Sequence, residues 1–195
     1  MTLALERKTF AGDASQVQSR RFTLQEFEVM SDAGFFADQH VELLDGEIVV
    51  KGKQGPQHAN AVRQLSKRLE HLLGTHAVVS AQLPMVLPAP PPAFLEPDVA
   101  LLKLPETQYE ERDVTSSDAL LVIEISDSTL ERDQNEKLRA YARNSVQEYW
   151  ILNLHTAQLE VNREPSGEEY LLTRKHKPGQ AVAPLAFPDV PLEWW

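Results

Sequence analysis

The 195-residue chain contains no cysteine, which excludes disulfides and thiolate-held zinc and fits a reducing compartment. It also lacks any apolar run of transmembrane length. Met1 to Arg21 is mixed and polar, without the apolar centre of a signal peptide. Together these absences predict a cytoplasmic protein. Positive charge is short as well: 19 Lys and Arg stand against 29 Asp and Glu, a net charge of −10. A protein that holds nucleic acid through its overall field is usually basic, so the acidity counts against tight, unspecific DNA binding. It leaves room for a nuclease, which needs only a local basic patch and a metal to offset its own acids. What is present is ordinary for a soluble globular protein, with 42% apolar and 25% charged residues. The length suits a single domain with a sizeable core, expected over 22–195 behind a loose tail at 1–21.

The stretch Leu120-Leu121-Val122-Ile123-Glu124-Ile125 organises the rest. Five of its six residues are apolar and both faces are greasy, as in a strand buried on both sides of a sheet. Glu124 interrupts it. Burying a carboxylate costs several kcal/mol unless a cation meets it. Such an acid is either neutralised by a basic side chain or used to hold a metal.

Other elements follow from local signals. Thr23 with Glu26 three residues on forms a capping box that opens a short helix. Val41 to Val50 reads as a hairpin around the Asp45-Gly46 turn. His58 to Leu73 carries Val62, Leu65, Leu69, Leu72 and Leu73 at helical spacing, with Gly74 as a stop. Ala77 to Leu87 is a strand candidate with a break or edge at Pro84, and Pro88 to Pro92 is a stiff loop. Glu96 to Leu102 is a short core strand. A helix is predicted over 131–144, followed by strands over 146–154, 158–163 and 170–173. The Trp194-Trp195 end suggests docking on the body or on a second copy.

Asp98 opens one core strand and Glu124 lies near the end of the next. Antiparallel pairing would bring the two carboxylates together at one edge of the sheet. Side by side they repel, and one pKa rises unless a divalent cation lies between them. An all-oxygen set suits Mg²⁺ or Mn²⁺. Lys137 sits at the rim of the following helix's apolar side, where its long stem can reach back to the strand end. On residue type alone the two acids are equally an internal ion pair with Lys137 or an arginine. Lys137 alone on such a helix is more often a solvated flank residue.

The ordered pieces resemble the PD-(D/E)xK nuclease superfamily, and more narrowly the Uma-two family of restriction-type endonucleases. They are Glu42-Leu43-Leu44-Asp45-Gly46-Glu47, Gly55-Pro56-Gln57-His58 and Glu96-Pro97-Asp98-Val99-Ala100. Val122-Ile123-Glu124-Ile125-Ser126-Asp127-Ser128-Thr129 comes next, then Asp133 with Lys137, Tyr141-Ala142-Arg143 and Glu148-Tyr149-Trp150-Ile151. The resemblance covers about residues 22–192. It implies an α/β (α+β) restriction-endonuclease-like core, a mixed central sheet flanked by helices, and metal-dependent phosphodiester hydrolysis. One departure is visible: Ser126 stands where the lysine of E-x-K would be, and the family reading moves that role to Lys137.

The implied site then has Asp98, Glu124 and the backbone carbonyl of Ile125 on Mg²⁺ or Mn²⁺, with Lys137 stabilising charge. Glu42 is a candidate extra ligand for metal or water, and His58 a candidate cleft residue. Arg63, Lys67 and Arg68 are either a solvated face or a phosphate track. DNA is the expected substrate and a homodimer the expected assembly, because scission of both strands needs two copies. The rival expectation is a module that keeps the nuclease fold, has lost activity and binds nucleic acid or protein.

Overall fold

The computed structural model describes residues 19–193. The expected tail at 1–21 falls almost wholly outside them, and so does the Trp194-Trp195 pair.

The local signals are realised in order. Thr23 and Glu26 exchange both bonds of the capping box at the start of α1 (Leu24–Asp32). Strands β1 (Val41–Leu44) and β2 (Glu47–Val50) pair antiparallel, with Leu44 opposite Glu47. Asp45 and Gly46 between them both have positive φ, 51° and 77°, the backbone that a two-residue turn of right-handed twist requires. The long helix α2 (Pro56–Leu73) starts two residues before the sequence suggests, because Pro56 takes the first helical position behind the Gly55 cap. Its apolar stripe is buried except Leu72, which points outward.

The segment Ala77 to Leu87 does not form one strand. Pro84 breaks it into β3 (Val78–Ser80) and β4 (Met85–Leu87), which join different sheets. Beyond the stiff 88–92 loop the chain turns back as β5 (Ala93–Leu95), lying between β1 and β4. After β6 (Val99–Leu102), the two-residue strand β7 (Val114–Thr115) completes a five-stranded sheet in the order β2-β1-β5-β4-β7.

The larger sheet contains β8 (Ala119–Ser126), β9 (Glu148–Asn153), β10 (Gln158–Ser166) and β11 (Glu169–His176). Its order is β11-β10-β9-β8-β6-β3. Only the β8–β9 pair is parallel among its described ladders, so the sheet is mixed. Its crossover is helix α3, residues 130–143, whose middle stretch Asp133–Lys137 is a π-turn. A short ribbon of β12 (Ala181–Val182) and β13 (Leu192–Glu193) closes the chain.

The sheet has a core on each face. On one, α2 packs Val62, Leu65 and Leu69 against Leu121, Ile123 and Trp150. On the other, Tyr141 of α3 and Met85, Leu87 and Leu95 of the smaller sheet cover Ala100, Val122 and Tyr149. One flank is thus shared between a helix and a second sheet. The strand β8, apolar on both faces, is buried by both layers. Among the described residues no helix is long and apolar enough to cross a membrane.

Candidate active site

Antiparallel pairing sets Val99 opposite Ile123. The residue before one strand and the residue near the end of the other therefore meet, and Asp98 and Glu124 line a common cleft of about 150 Å³. Glu42 reaches it from β1, and Lys137 and Asp133 from α3. All are nearly sealed from solvent, with Glu42 2%, Asp98 5%, Glu124 3% and Lys137 5% exposed.

Glu124 takes two donors on the same oxygen. Lys137 Nζ lies 2.8 Å and Tyr141 Oη 2.9 Å from Oε1. Asp98 is committed on Oδ2, which lies 3.0 Å from His58 Nε2 and accepts the Ile125 amide at 2.8 Å. Its Oδ1 has only the Gln82 amide at 3.5 Å. Each carboxylate keeps one oxygen largely free. Glu42 Oε1 accepts the Glu96 amide at 2.9 Å and lies 3.2 Å from Lys51 Nζ.

The π-turn delivers Lys137. Asp133 is gripped by the hydroxyls of Ser126 and Thr129, both at 2.6 Å. Tyr149 Oη donates to the Asp133 carbonyl at 3.0 Å. A side chain bonded to a helix carbonyl loosens the ladder there, and the helix widens by one residue. Asp133 and Lys137 are consequently both buried toward the strand end. Ser126, in the place of the E-x-K lysine, anchors the turn that carries the lysine back to Glu124.

Charge around the cleft is unbalanced. Lys137 Nζ is shared by Glu124 at 2.8 Å, Glu42 at 3.7 Å and Asp133 at 4.0 Å. Burial pushes the Glu124 carboxyl up, Lys137 opposes, and the acids Asp98, Asp133 and Glu42 add to the rise, leaving it at about 8. Lys137 is also buried, but the surrounding carboxylates outweigh the burial and raise its pKa, so it stays charged. Burial pushes Glu42 up too, yet Lys137 and Lys51 bring it below its usual range. Asp98 ends lower for a like reason: His58 and the Ile125 amide overcome its burial. The hydrogen bond to Asp98 is the main cause of the raised His58 pKa.

The structure brings together Glu42, His58, Asp98, Glu124 and Lys137, with Ile125 adjacent through its amide. It does not bring in Arg63, Lys67 and Arg68: none lines the cleft, and Arg63 is bonded to Asn60. Sequence reasoning missed Lys51, Tyr141, and Asp133 beyond a capping role. For Asp133 and Tyr141 the only signal was their four-residue spacing from Lys137, and Lys51 carried none. No group of three or more His, Asp or Glu side chains converges as a ready metal cage among the described residues. A divalent ion would therefore rest on two carboxylates, Asp98 and Glu124, completed by backbone or water oxygens. Their free oxygens and the unmet negative charge fit such an ion.

No curated protein matches the chain. A solved structure from Anabaena variabilis, described as "a putative nuclease belonging to DUF820", matches with a TM-score of 0.70. The match covers 88% of this chain and 94% of that one at 16% identity, and speaks for the fold alone. The model of the Uma2 (Uma-two) family, described as "Putative restriction endonuclease", matches residues 24–194. The chain has the nuclease-like α+β fold and belongs to the Uma2 family.

Proposed function

We propose that the protein is a Mg²⁺- or Mn²⁺-dependent endonuclease that hydrolyses phosphodiester bonds of DNA in the cytoplasm, and that it works as a homodimer. Membership of a nuclease family supports the reaction class. The observation that carries the reading is the set of four buried acids, Glu42, Asp98, Glu124 and Asp133, with one buried ammonium shared among three of them and only Lys51 on Glu42 and His58 on Asp98 beside it. A purely structural ion pair has no use for that excess.

Asp98 and Glu124, with the Ile125 carbonyl, would hold the ion, which when bound lowers the pKa of a water and offsets charge on the phosphate. His58 fixes Asp98 by its Oδ2 and leaves Oδ1 with only the distant Gln82 amide. Tyr141 and Lys137 fix Glu124 by Oε1. Lys137 keeps its proton and places a positive charge where negative charge grows on the phosphate. Glu42 with Lys51 closes the cleft on the β1 side and offers a further carboxylate to a water.

The inactive-module reading draws on the closed Lys137–Glu124 contact at 2.8 Å, which already satisfies one oxygen. Calorimetric titration of Mn²⁺ and Mg²⁺ into wild type and Asp98→Asn, with plasmid nicking on the same samples, separates the two. Saturable binding and nicking, both lost in the variant, are expected. No binding in either protein would leave the acids as an internal network and favour the inactive module.

A further inference from the structure

The cleft does not end at the carboxylates. An open groove of about 640 Å³ shares Ser128, Thr129 and Arg132 with it and runs on along the outer side of α3 to Arg139. Three cations border this continuous channel. Lys53 stands exposed in the loop that lines the cleft, and Arg139 lies half-buried in the groove. Neither has an acidic partner within ion-pair distance among the described residues. Arg132 pairs only with Glu136, at 3.4 Å and with both side chains more than 40% exposed. An exposed pair of that kind contributes little and is readily exchanged for a phosphate. Glu131 and Glu136 also border the groove, so attraction would be local to the arginines.

We infer that the cleft and the α3 groove form one path for a polynucleotide strand, with Lys53, Arg132 and Arg139 holding phosphates that flank the scissile one. This rests on the proposed function and specifies where its substrate lies. The argument is one of charge complementarity. With a net charge of −10, the overall field repels a polyanion, so a strand must be drawn by local cations that have no carboxylate partner or only an exposed, exchangeable one. The two arginines are seven residues apart, roughly 10 Å along a helix axis, which suits successive contacts along a backbone. The basic stripe Arg63, Lys67 and Arg68 of α2 borders neither cavity.

The test reads binding apart from cleavage. A fluorescent single-stranded DNA 20-mer is titrated by anisotropy at several salt concentrations against full-length Asp98→Asn protein. The same is done with Arg132→Ala/Arg139→Ala, Lys53→Ala and Arg63→Ala/Lys67→Ala/Arg68→Ala added. All substitutions added to that parent are on exposed or half-exposed side chains, and thermal unfolding checks each fold. Expected is roughly a tenfold or greater loss for the α3 pair, with the slope of log K against log salt shallower by about 1.4 for two lost phosphate contacts. Lys53→Ala should lose a smaller amount, and the α2 triple variant should stay within about twofold. The inference is overturned if the α2 variant carries the loss, if the α3 pair binds as the parent does, or if the parent does not bind. Metal-dependent nicking by wild type judges the proposed function separately, because it survives a failure of the path.

Discussion

Two glutamates lie buried on neighbouring strands of the same sheet and meet opposite fates. Glu148, at the start of β9, is 0% exposed. Its carboxylate receives Trp150 Nε1 at 2.9 Å, Arg163 at 2.7 and 2.6 Å, and the Leu185 amide at 2.6 Å. Both oxygens are used, and a guanidinium matches the charge. Glu124, on β8 and facing the other side of the sheet, uses one oxygen and shares its only ammonium with two other acids. Burial is equal; satisfaction is not. A buried carboxylate with both oxygens bonded and its charge matched ties strands together. One with a spare oxygen and unmatched charge is a place where chemistry can be done.

The comparison can be broken in several ways. The largest expected effect is on turnover: Glu124→Gln should cut plasmid nicking by about 10³-fold, about 4 kcal/mol of barrier, while thermal unfolding shows no loss of stability. A clear loss of stability would make Glu124 a second Glu148. The reverse is expected for Glu148→Ala, which leaves Arg163 without its partner in the interior. The cost should be about 3–5 kcal/mol, read from the urea midpoint, and residual folded protein should nick normally.

A pH series sharpens the contrast further. Glu124 titrates at about 8 in the folded chain against an ordinary 4.5. Between those values the unfolded chain has given up a proton that the folded chain keeps, so metal-free stability should fall as pH rises through that window. The raised His58 pKa works in the same direction, its contribution being lost above the ordinary 6.5. Glu42 and Asp98, both lowered, lose their contributions only as pH falls below their usual range. Melting temperature should therefore drop by about 10 °C from pH 5 to pH 8, on the order of 3 kcal/mol, with a much flatter profile in Glu124→Gln. A flat wild-type profile would mean that Lys137 fully balances Glu124. The smallest expected effect is Ser126→Ala, about 1 kcal/mol in the urea midpoint, because Thr129 still holds Asp133.

Much of this was legible in local chemistry. The capping box at Thr23, the Asp45-Gly46 hairpin and the stripe of α2 follow rules that act within a few residues. The meeting of Asp98 and Glu124 needed one further step, the antiparallel pairing of β6 with β8. What was not legible depends on partners distant in sequence. Pro84 announces a break, but nothing nearby says that β3 and β4 go to separate sheets. The sequence 93–95 is too short to announce β5, which exists because β1 and β4 offer it two edges. Glu124 and Glu148 are likewise indistinguishable by type: Arg163, Tyr141 and Asp133 decide between them from elsewhere in the chain. The basic stripe of α2 drew notice by its composition, yet composition does not tell which way a helix axis points.

The π-turn in α3 works as a phase shifter. Each helical residue advances the side chain by about 100°, and the widened turn slips the second half of the helix relative to the first. The first half can thus present Arg132 to the groove while the second seats Tyr141 and Ala142 in the core and still leaves Arg139 at the groove. Removing a single residue between Asp133 and Lys137 would restore a regular helix and set the two halves back in step. Lys137 and Tyr141 could then no longer both face Glu124 with Arg132 left at the groove. The site therefore depends on a residue count as much as on residue types, and a one-residue deletion here would disturb it more than most substitutions.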